Sequence, residues 1–211
     1  MHIIIIIILL LASIVGLTFI IERGLALRVA KVIPSEVVGA LEACRGADDL
    51  PMLRNICQQH PSPLSRLLLL ADKNRQWSRE DNASAVETSA RQEISRLERG
   101  LVVLEIIVGA APLLGLVGTI YGIMAVFSAL GLSGSSDNAA LQNGIATALQ
   151  ATFLGLVAAI PSLIGWNYFN RKVENLAVEM AAVCDVFVHQ LYREEEEAPP
   201  SPKLKATSSR R

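Results

Sequence analysis

The amino-acid sequence predicts an all-α integral membrane protein with three transmembrane helices. Hydrophobic residues make up 52% of the chain, which is too many for an ordinary soluble domain, and the 18% of charged residues is too many for a wholly membrane-buried bundle. Three uncharged segments are each long enough to cross the roughly 30 Å hydrocarbon core as a helix. They are Ile3–Ile21, Ile106–Leu132 and Ala139–Asn170. We therefore expect one part of the chain in the bilayer and another in water.

The first transmembrane helix is predicted over residues 1–21, and the competing interpretation is a cleaved signal peptide. Signal peptides carry a basic segment before an apolar run of roughly 7–15 residues. Here no basic residue precedes the apolar run, and Ile3–Ile21 contains 19 residues without a charge. The pattern therefore favours a retained transmembrane helix.

Residues 22–100 are predicted to form a cytoplasmic helical domain. Pro34, Pro51 and Pro63 each stand where a helix can begin, because the first turn of a helix leaves its backbone N–H groups unpaired and proline has none. The apolar run Leu64–Ala71 is too short to cross a bilayer, so we expect it to pack inside this domain. The region is thus expected to consist of short helices.

A longer helix is expected at the end of this domain. From about Ser84 no proline or glycine interrupts the chain until Gly100, which is followed directly by apolar residues. The sequence therefore predicts a helix that runs from the cytoplasmic domain into the second span. Gly100 is either the point at which this helix bends or a residue without a special role.

The remaining boundaries follow from charge and composition. The chain is divided into a second transmembrane helix (101–132), a periplasmic turn rich in glycine and serine (133–140), a third transmembrane helix (141–170), a cytoplasmic helix (171–192) and a disordered tail (193–211). The second and third helices are both expected to extend into the cytoplasm. Trp166 and Tyr168 close the third span, where aromatic residues are typical of the membrane interface.

The basic residues are confined to two regions. Twelve of the nineteen lysines and arginines lie within residues 22–100, and the other seven follow the third span. Three crossings place both regions on one side, which the positive-inside rule assigns to the cytoplasm. The amino terminus is then periplasmic and the carboxyl terminus cytoplasmic. A net charge of −1 also argues against a general nucleic-acid-binding protein.

The cysteines and histidines do not suggest a metal site. The three cysteines contain no Cys-x-x-Cys pair, and the three histidines are equally scattered. We expect buried or idle thiols, and neither a metal, a cofactor nor a disulfide framework.

Two stripes of small residues mark the second and third spans. They recur at steps of four and three, which places each set along one face of a helix. The first stripe is Ala111, Gly115, Gly118, Gly122, Ala125 and Ala129, and the second is Gly144, Ala148, Ala151, Gly155, Ala158 and Ser162. Small residues allow close backbone approach between membrane helices. We expect the central members, Gly115, Gly118, Gly122, Ala148, Ala151 and Gly155, to pack helix against helix.

These segments resemble the MotA/TolQ/ExbB proton channel family, and in particular its ExbB/TolQ branch. The resemblance rests on the runs Ala111–Met124 and Ala151–Pro161 and on Glu22–Arg28 after the first span. Three spans with a large insertion after the first favour this branch over the flagellar MotA type. The resemblance implies a homopentamer whose second and third helices surround a central pore. It also implies a bacterial inner-membrane location.

The resemblance further implies two kinds of partner. Transmembrane helices of a single-span ExbD- or TolR-like subunit would lie in the pore and supply a protonatable aspartate, and a TonB- or TolA-like protein would take up the mechanical work. Thr119 and Thr152 resemble the family's two pore threonines. Their hydroxyls can donate to a carboxylate or accept from its acid form. The alternative is that each hydroxyl only bonds the carbonyl four residues earlier in its own helix.

One position departs from the family pattern. Many members carry a glutamate five residues before the third-helix threonine, and this chain has Thr147 there. Five helical steps turn about 140°, so Thr147 does not share the face of Thr152. With Asn143 and Gln150 it forms a second polar face, which packs between subunits or lines part of a water path. The third span contains no titratable acid, so the acid for proton transfer must come mainly from a partner.

Three further residues have two interpretations each. Pro112 and Pro161 interrupt the hydrogen bonding of their helices, which makes them either hinges or tolerated kinks. Glu105 lies at the end of the second span and either reaches the interface or takes part in ion transfer.

The preferred hypothesis is a proton-channel or stator subunit that converts proton motive force into mechanical work, as an ExbB-like protein does in TonB-dependent transport. The alternatives are a TolQ-like subunit of the Tol-Pal envelope system and a non-conducting membrane scaffold. Three spans without an intramembrane charge argue against a secondary transporter. No nucleophile, base and orienting group occur together, so we do not expect an enzyme. The choice between H⁺ and Na⁺, and the cargo, stay open.

Overall fold

The computed structural model describes residues 2–44, 49–133 and 138–197, and every regular element in these ranges is helical. The all-α prediction is confirmed. The helices are α1 (His2–Ala26), α2 (Val29–Val32), α3 (Ser35–Ala43), α4 (Leu50–Gln59), α5 (Pro63–Lys73), α6 (Arg79–Glu98), α7 (Leu101–Ser133) and α8 (Asn138–Glu197). The predicted turn 133–140 is shorter than expected, because Ser133 still belongs to α7 and α8 already begins at Asn138; its residues 134–137 and most of the predicted tail lie outside the described residues.

Three helices, α1, α7 and α8, are long and apolar enough to cross a membrane. These are the three spans expected from the sequence. The chain forms two compact units, which we call the membrane unit (Met1–Lys31 and Gln92–Ala177) and the polar unit (Val32–Arg91 and Val178–Arg211). Helices α6 and α8 each contribute residues to both units.

The membrane unit is built on two hydrophobic clusters. The first joins Ile5 and Leu9 of α1 to Ile107 of α7 and to Ala158 of α8. The second joins Leu27, Leu101, Leu104, Phe169 and Val173. The first cluster draws on all three long helices. In the second, Leu27 directly follows the end of α1, and Phe19 and Ile20 of α1 pack against the cluster, so the spans are held together at two levels.

Helix α1 continues five residues beyond the predicted end of the first span, to Ala26. The extension contains Glu22 and Arg23, whose side chains form an ion pair at 2.7 Å. The uncharged run therefore marks the apolar part of the helix but not its end, because charged side chains are readily accommodated where a helix leaves the hydrocarbon.

The expected continuous helix from about Ser84 into the second span is interrupted. Helix α6 ends at Glu98, and a turn at Arg99–Gly100 precedes α7. Gly100 is buried beneath Arg23, whose side chain occupies the space that a Cβ at residue 100 would need. Arg23 Nη1 lies 3.5 Å from the carbonyl oxygen of Leu97, near the end of α6. The helix breaks here because Gly100 lets the Arg23 side chain pack against the backbone.

The polar unit contains the short helices that the prolines predict. Pro34 directly precedes α3, Pro51 lies in the first turn of α4, and Pro63 is the first residue of α5. Ser62 caps α5, since its hydroxyl accepts a hydrogen bond from Ser65 N at 3.0 Å. The run Leu64–Ala71 is contained in α5 and buries Leu64, Leu67 and Leu68.

A buried polar network ties the loop before α6 to α8. Asn82 is fully buried, and its amide donates to Ala71 O at 2.9 Å and to Tyr192 Oη at 3.0 Å. The Tyr192 hydroxyl in turn donates to Trp77 O at 3.1 Å. Elsewhere in the unit, Arg54 Nε donates to the buried carboxylate of Asp72 at 2.9 Å.

Helix α8 ends later than expected. The tail was predicted from residue 193, but the backbone stays helical to Glu197. The added turn contains glutamates, which are good helix formers. The predicted third span and the cytoplasmic helix 171–192 belong to this one continuous helix.

Candidate functional site

The two small-residue stripes form the contact between α7 and α8. A Cβ atom added at Gly118 would lie 2.6 Å from Ala151 Cβ, and one added at Gly122 would lie 2.7 Å from Ala148 Cβ. At Gly115 the added atom would lie 2.9 Å from Ala151 O. Rising residue numbers on α7 pair with falling numbers on α8, so the two helices pack antiparallel. Their backbones approach more closely than any larger residue would allow.

The closest backbone approach is at Gly155. A Cβ there would lie 2.6 Å from Ala111 O and 3.3 Å from Gly115 Cα. Towards the other end of the contact the pattern shifts by one residue, because Val126 packs against Gly144 while Ala125 is exposed. The side chain of Ala129 lies outside the described side chains.

Helix α1 packs against the same pair of helices. Ser162 is buried, and a Cβ added at Gly16 of α1 would lie 2.7 Å from its Oγ. The Ser162 hydroxyl donates to Ala158 O at 2.9 Å, so its hydrogen bond stays within α8. The last member of the second stripe thus contacts α1.

Thr119 and Thr152 meet at the edge of the α7–α8 contact. Their hydroxyl groups are hydrogen-bonded to each other. Thr119 Oγ1 also lies 3.2 Å from Gly115 O and 3.3 Å from Ala148 O, and Thr152 Oγ1 lies 3.2 Å from the same Gly115 O. The bond within its own helix is therefore present for Thr119, but the bonds of Thr152 cross to α7.

The arrangement leaves capacity for a further partner. Two hydroxyl protons are shared among Gly115 O, Ala148 O and the two hydroxyl oxygens, and each hydroxyl oxygen has two lone pairs. Both threonine side chains are only half-buried in the single chain. By rotating its hydroxyls, the pair can accept a hydrogen bond from a carboxylic acid or donate one to a carboxylate.

The hydrogen bonds that cross from one helix to a carbonyl of the other were not anticipated from the sequence. Gly115 and Ala148 each lie four residues before one of the threonines, which is the only local signal. Which carbonyl a hydroxyl bonds depends on how the two helices pack, because Thr119 reaches Ala148 on α8 and Thr152 reaches Gly115 on α7.

The second polar face lies on the other flank of α8. Thr147 precedes Ala148, whereas Thr152 follows Ala151, so the two threonines leave the contact on opposite sides. Asn143, Thr147 and Gln150 are all exposed in the single chain. The Thr147 hydroxyl donates to Asn143 O at 2.7 Å, so it has the within-helix bond of an ordinary membrane threonine.

Neither intramembrane proline breaks its helix. Pro112 lies inside α7 and Pro161 inside α8, and both helices continue through them. Pro112 is half-buried and Pro161 is exposed. Glu105 is exposed on α7. The structure brings none of these three residues to the threonine pair.

Within the described ranges, no group of three histidine, cysteine, aspartate or glutamate side chains has the arrangement of a metal site. Cys44, Cys57 and Cys184 are buried cysteines that form no disulfide within the described residues. Burial raises the pKa of the Cys57 thiol to about 11, and the negative charge of Asp72 contributes to the rise. This thiol is consequently held protonated.

The sequence profile of the MotA/TolQ/ExbB proton channel family matches residues 55–182, a range that includes both stripes and both threonines. The chain belongs to this family. The predicted relationship is thereby confirmed. Membership also places the protein in a class of membrane channels and not among known enzyme families.

Curated members of the MotA/TolQ/ExbB family match the chain at 34–40% identity. A protein of Methanothermobacter thermautotrophicus named as an ExbB homologue is 34% identical over 149 residues, which are 70% of this chain and 52% of the relative. The biopolymer transport protein ExbB of Helicobacter pylori is 40% identical over 98 residues, or 44% of this chain and 68% of the relative. The Tol-Pal system protein TolQ of Pseudomonas aeruginosa is 36% identical over 111 residues, or 53% of this chain and 48% of the relative. The chain thus spans about half the length of two of these relatives.

Proposed function

We propose that this protein is a stator subunit that converts proton motive force into mechanical work on a periplasm-spanning partner, as expected for an ExbB-like protein in TonB-dependent transport. Family membership and the ExbB relatives support the class of function. The observation that carries the proposal is the pair of hydroxyls of Thr119 and Thr152. They are hydrogen-bonded to each other across two closely packed membrane helices, and both side chains are half-buried in the single chain.

In the proposed assembly several copies, five by family resemblance, surround a pore. An ExbD- or TolR-like subunit places an aspartate against the ring of threonine pairs. A lone carboxylate in hydrocarbon is costly, so it either protonates or finds hydrogen-bond donors. The Thr119 and Thr152 hydroxyls stabilise the ionised form by donating to it and the neutral form by accepting from it. In this proposal, proton exchange on the aspartate is coupled to the movement of the partner subunit from one threonine pair to the next.

The partner carries the proton in this proposal. From residue 106 to residue 170 the only acid in the sequence is Asp137, which stands in the link between α7 and α8. Thr147 occupies the position where many relatives have glutamate, and it cannot titrate. The proposed orientation puts the amino terminus in the periplasm and the carboxyl terminus in the cytoplasm, with the basic residues on the inner side.

The test is a pair of substitutions at Thr152 in a bacterium that lacks its own ExbB and carries the partner subunits. Thr152→Val keeps the shape of the side chain but removes the hydroxyl, and we expect it to abolish energy-dependent uptake while the complex still assembles. Thr152→Ser keeps the hydroxyl and is expected to retain a substantial part of the activity. Equal activity of the two variants would reject the proposed role of the pair.

A TolQ-like role is the second candidate, favoured by the match to TolQ of Pseudomonas aeruginosa. Complementation of strains that lack either ExbB or TolQ distinguishes the two roles. A third candidate, a scaffold that does not conduct, predicts full activity of Thr152→Val in both strains.

A further inference from the structure

One end of the membrane unit carries a group of exposed cations. Arg28, Lys31, Arg99 and Arg171 are exposed, and Lys172 is half-buried. We call these five residues the basic belt. They stand where the three long helices leave their apolar segments: two follow α1, one precedes α7, and two lie on α8 directly after its uncharged stretch.

Packing contacts place the basic belt at one level. Leu27, Leu101, Phe169 and Val173 lie in one buried cluster. A Cβ added at Gly24 would lie 3.8 Å from Phe169 Cζ, so the end of α1 packs directly against this part of α8. Each cation of the basic belt is within a few residues of a member of that cluster in the sequence. The five belt residues therefore lie near one end of the spans, close to the level of this cluster.

An aromatic residue accompanies the belt on α8. Lys172 Nζ lies 5.8 Å from the centroid of the Tyr168 ring, which is the distance of a cation–π interaction. Tyr168 is 61% exposed, and Trp166 is half-buried just before it. Tyrosine and tryptophan favour the level of the lipid head groups, so these rings place the belt at that level.

The belt has a surplus of positive charge. The neighbouring Arg23 and Arg96 are paired with Glu22 and Glu93 at 2.7 Å in both cases. No ion pair involves the five belt residues within the part of the chain that the structure describes. They outnumber the exposed carboxylates at this end that form no ion pair in the described residues, which are Glu98, Glu105 and Glu174. By contrast, no lysine or arginine separates the second span from the third.

We propose that the basic belt binds the phosphate head groups of anionic phospholipids, with Arg171 and Lys172 as its centre. A lipid surface is the occupant because the cations surround apolar helices at head-group level and Tyr168 anchors one of them there. Each lysine or arginine near a membrane surface favours anionic lipid by roughly fivefold. The belt would select phosphatidylglycerol over phosphatidylcholine and hold this end of the helix bundle at the membrane surface. This proposal does not depend on proton conduction.

Tryptophan fluorescence offers a direct test, because the chain has only Trp77 and Trp166. In a Trp77→Phe background of the full chain, Trp166 reports on lipids beside α8. The purified protein is reconstituted with brominated phosphatidylglycerol or brominated phosphatidylcholine, whose bromine atoms quench neighbouring tryptophan. We expect the brominated anionic lipid to quench Trp166 at a several-fold lower mole fraction. In Arg171→Gln/Lys172→Gln, most of this preference should be lost, because each cation favours anionic lipid by roughly fivefold.

Two controls make the test decisive. Arg171→Lys/Lys172→Arg keeps the charges and should keep the preference, and Lys73→Gln removes an exposed cation of the polar unit and should leave it unchanged. Equal quenching by the two lipids in the parent protein would overturn the proposal. A preference that survives the double glutamine variant would overturn it as well.

Discussion

Gly155→Ala tests the close approach of α7 and α8 on which the threonine pair depends. The added methyl would lie 2.6 Å from Ala111 O, whereas ordinary contact begins at 3.4 Å, so the helices must separate locally by about 0.8 Å. The obstructing atoms belong to the backbone of α7 and cannot move aside as a flexible side chain could. Overpacking of this kind costs about 1–3 kcal/mol. Alanine recovers up to about 1 kcal/mol through its better helix propensity.

The matched control is Gly109→Ala on α7. A Cβ at Gly109 meets nothing within 4 Å, so this variant makes the same chemical change in a transmembrane helix without a clash. Unfolding of both variants is followed in mixed micelles by circular dichroism while the fraction of denaturing detergent is raised. Because the propensity gain is common to both variants, we expect Gly155→Ala to be less stable than Gly109→Ala by about 1–3 kcal/mol. Equal stability of the two variants would refute the argument for close backbone packing.

Two further predictions concern the polar unit. Because burial raises the pKa of Cys57 to about 11 from an ordinary value near 9, the folded protein keeps this proton at pH 9 while the unfolded chain releases about half of it. Alkylation of Cys57 at pH 9, followed by peptide mass spectrometry, should therefore be at least about 50-fold slower in the folded protein than in the unfolded chain. The stabilisation that comes from the raised pKa of Cys57 should be lost as the pH rises from 9 through 11. Equal alkylation rates in the folded and unfolded protein would contradict this prediction. Tyr192→Phe removes the hydroxyl that accepts a hydrogen bond from the Asn82 amide and donates one to Trp77 O. The free energy of unfolding should fall by about 1–3 kcal/mol, as measured by thermal or chemical denaturation. An unchanged free energy of unfolding would show that the network is not stabilising.

The spans and the stripes could be predicted because they depend on local periodicity. A charge-free run of this length crosses a bilayer as a helix. Small residues at steps of four and three fall on one face of that helix, whichever helix it packs against. The same locality explains the cap at Ser62 and the helix starts at the prolines. The one-residue shift from Ala125 to Val126 was not predictable, because it depends on how two helices diverge along their contact.

Contacts between residues that are far apart in the chain could not be predicted from the sequence. Asn82 and Tyr192 are 110 residues apart, and an isolated asparagine in a polar helix does not reveal that its amide is buried. Arg23 and Gly100 are similarly remote, so the break between α6 and α7 was visible only as a glycine with two interpretations. The threonine pair was suggested by resemblance, whereas its shared acceptor, Gly115 O, follows from the helix packing alone.

Water accessibility at Thr152 most directly tests the central claim that the threonine pair faces a cavity. In a background without the native cysteines, Thr152→Cys and Phe153→Cys are compared in the assembled complex with the partner subunit. Phe153 is 65% exposed in the single chain and lies about 100° around the axis of α8 from Thr152, so it serves as the lipid-facing control. We expect a small water-soluble thiol reagent to modify Thr152→Cys in the absence of the partner, the partner to protect it, and Phe153→Cys to stay unreactive. An unreactive Thr152→Cys, or equal reactivity at both positions, would contradict the account.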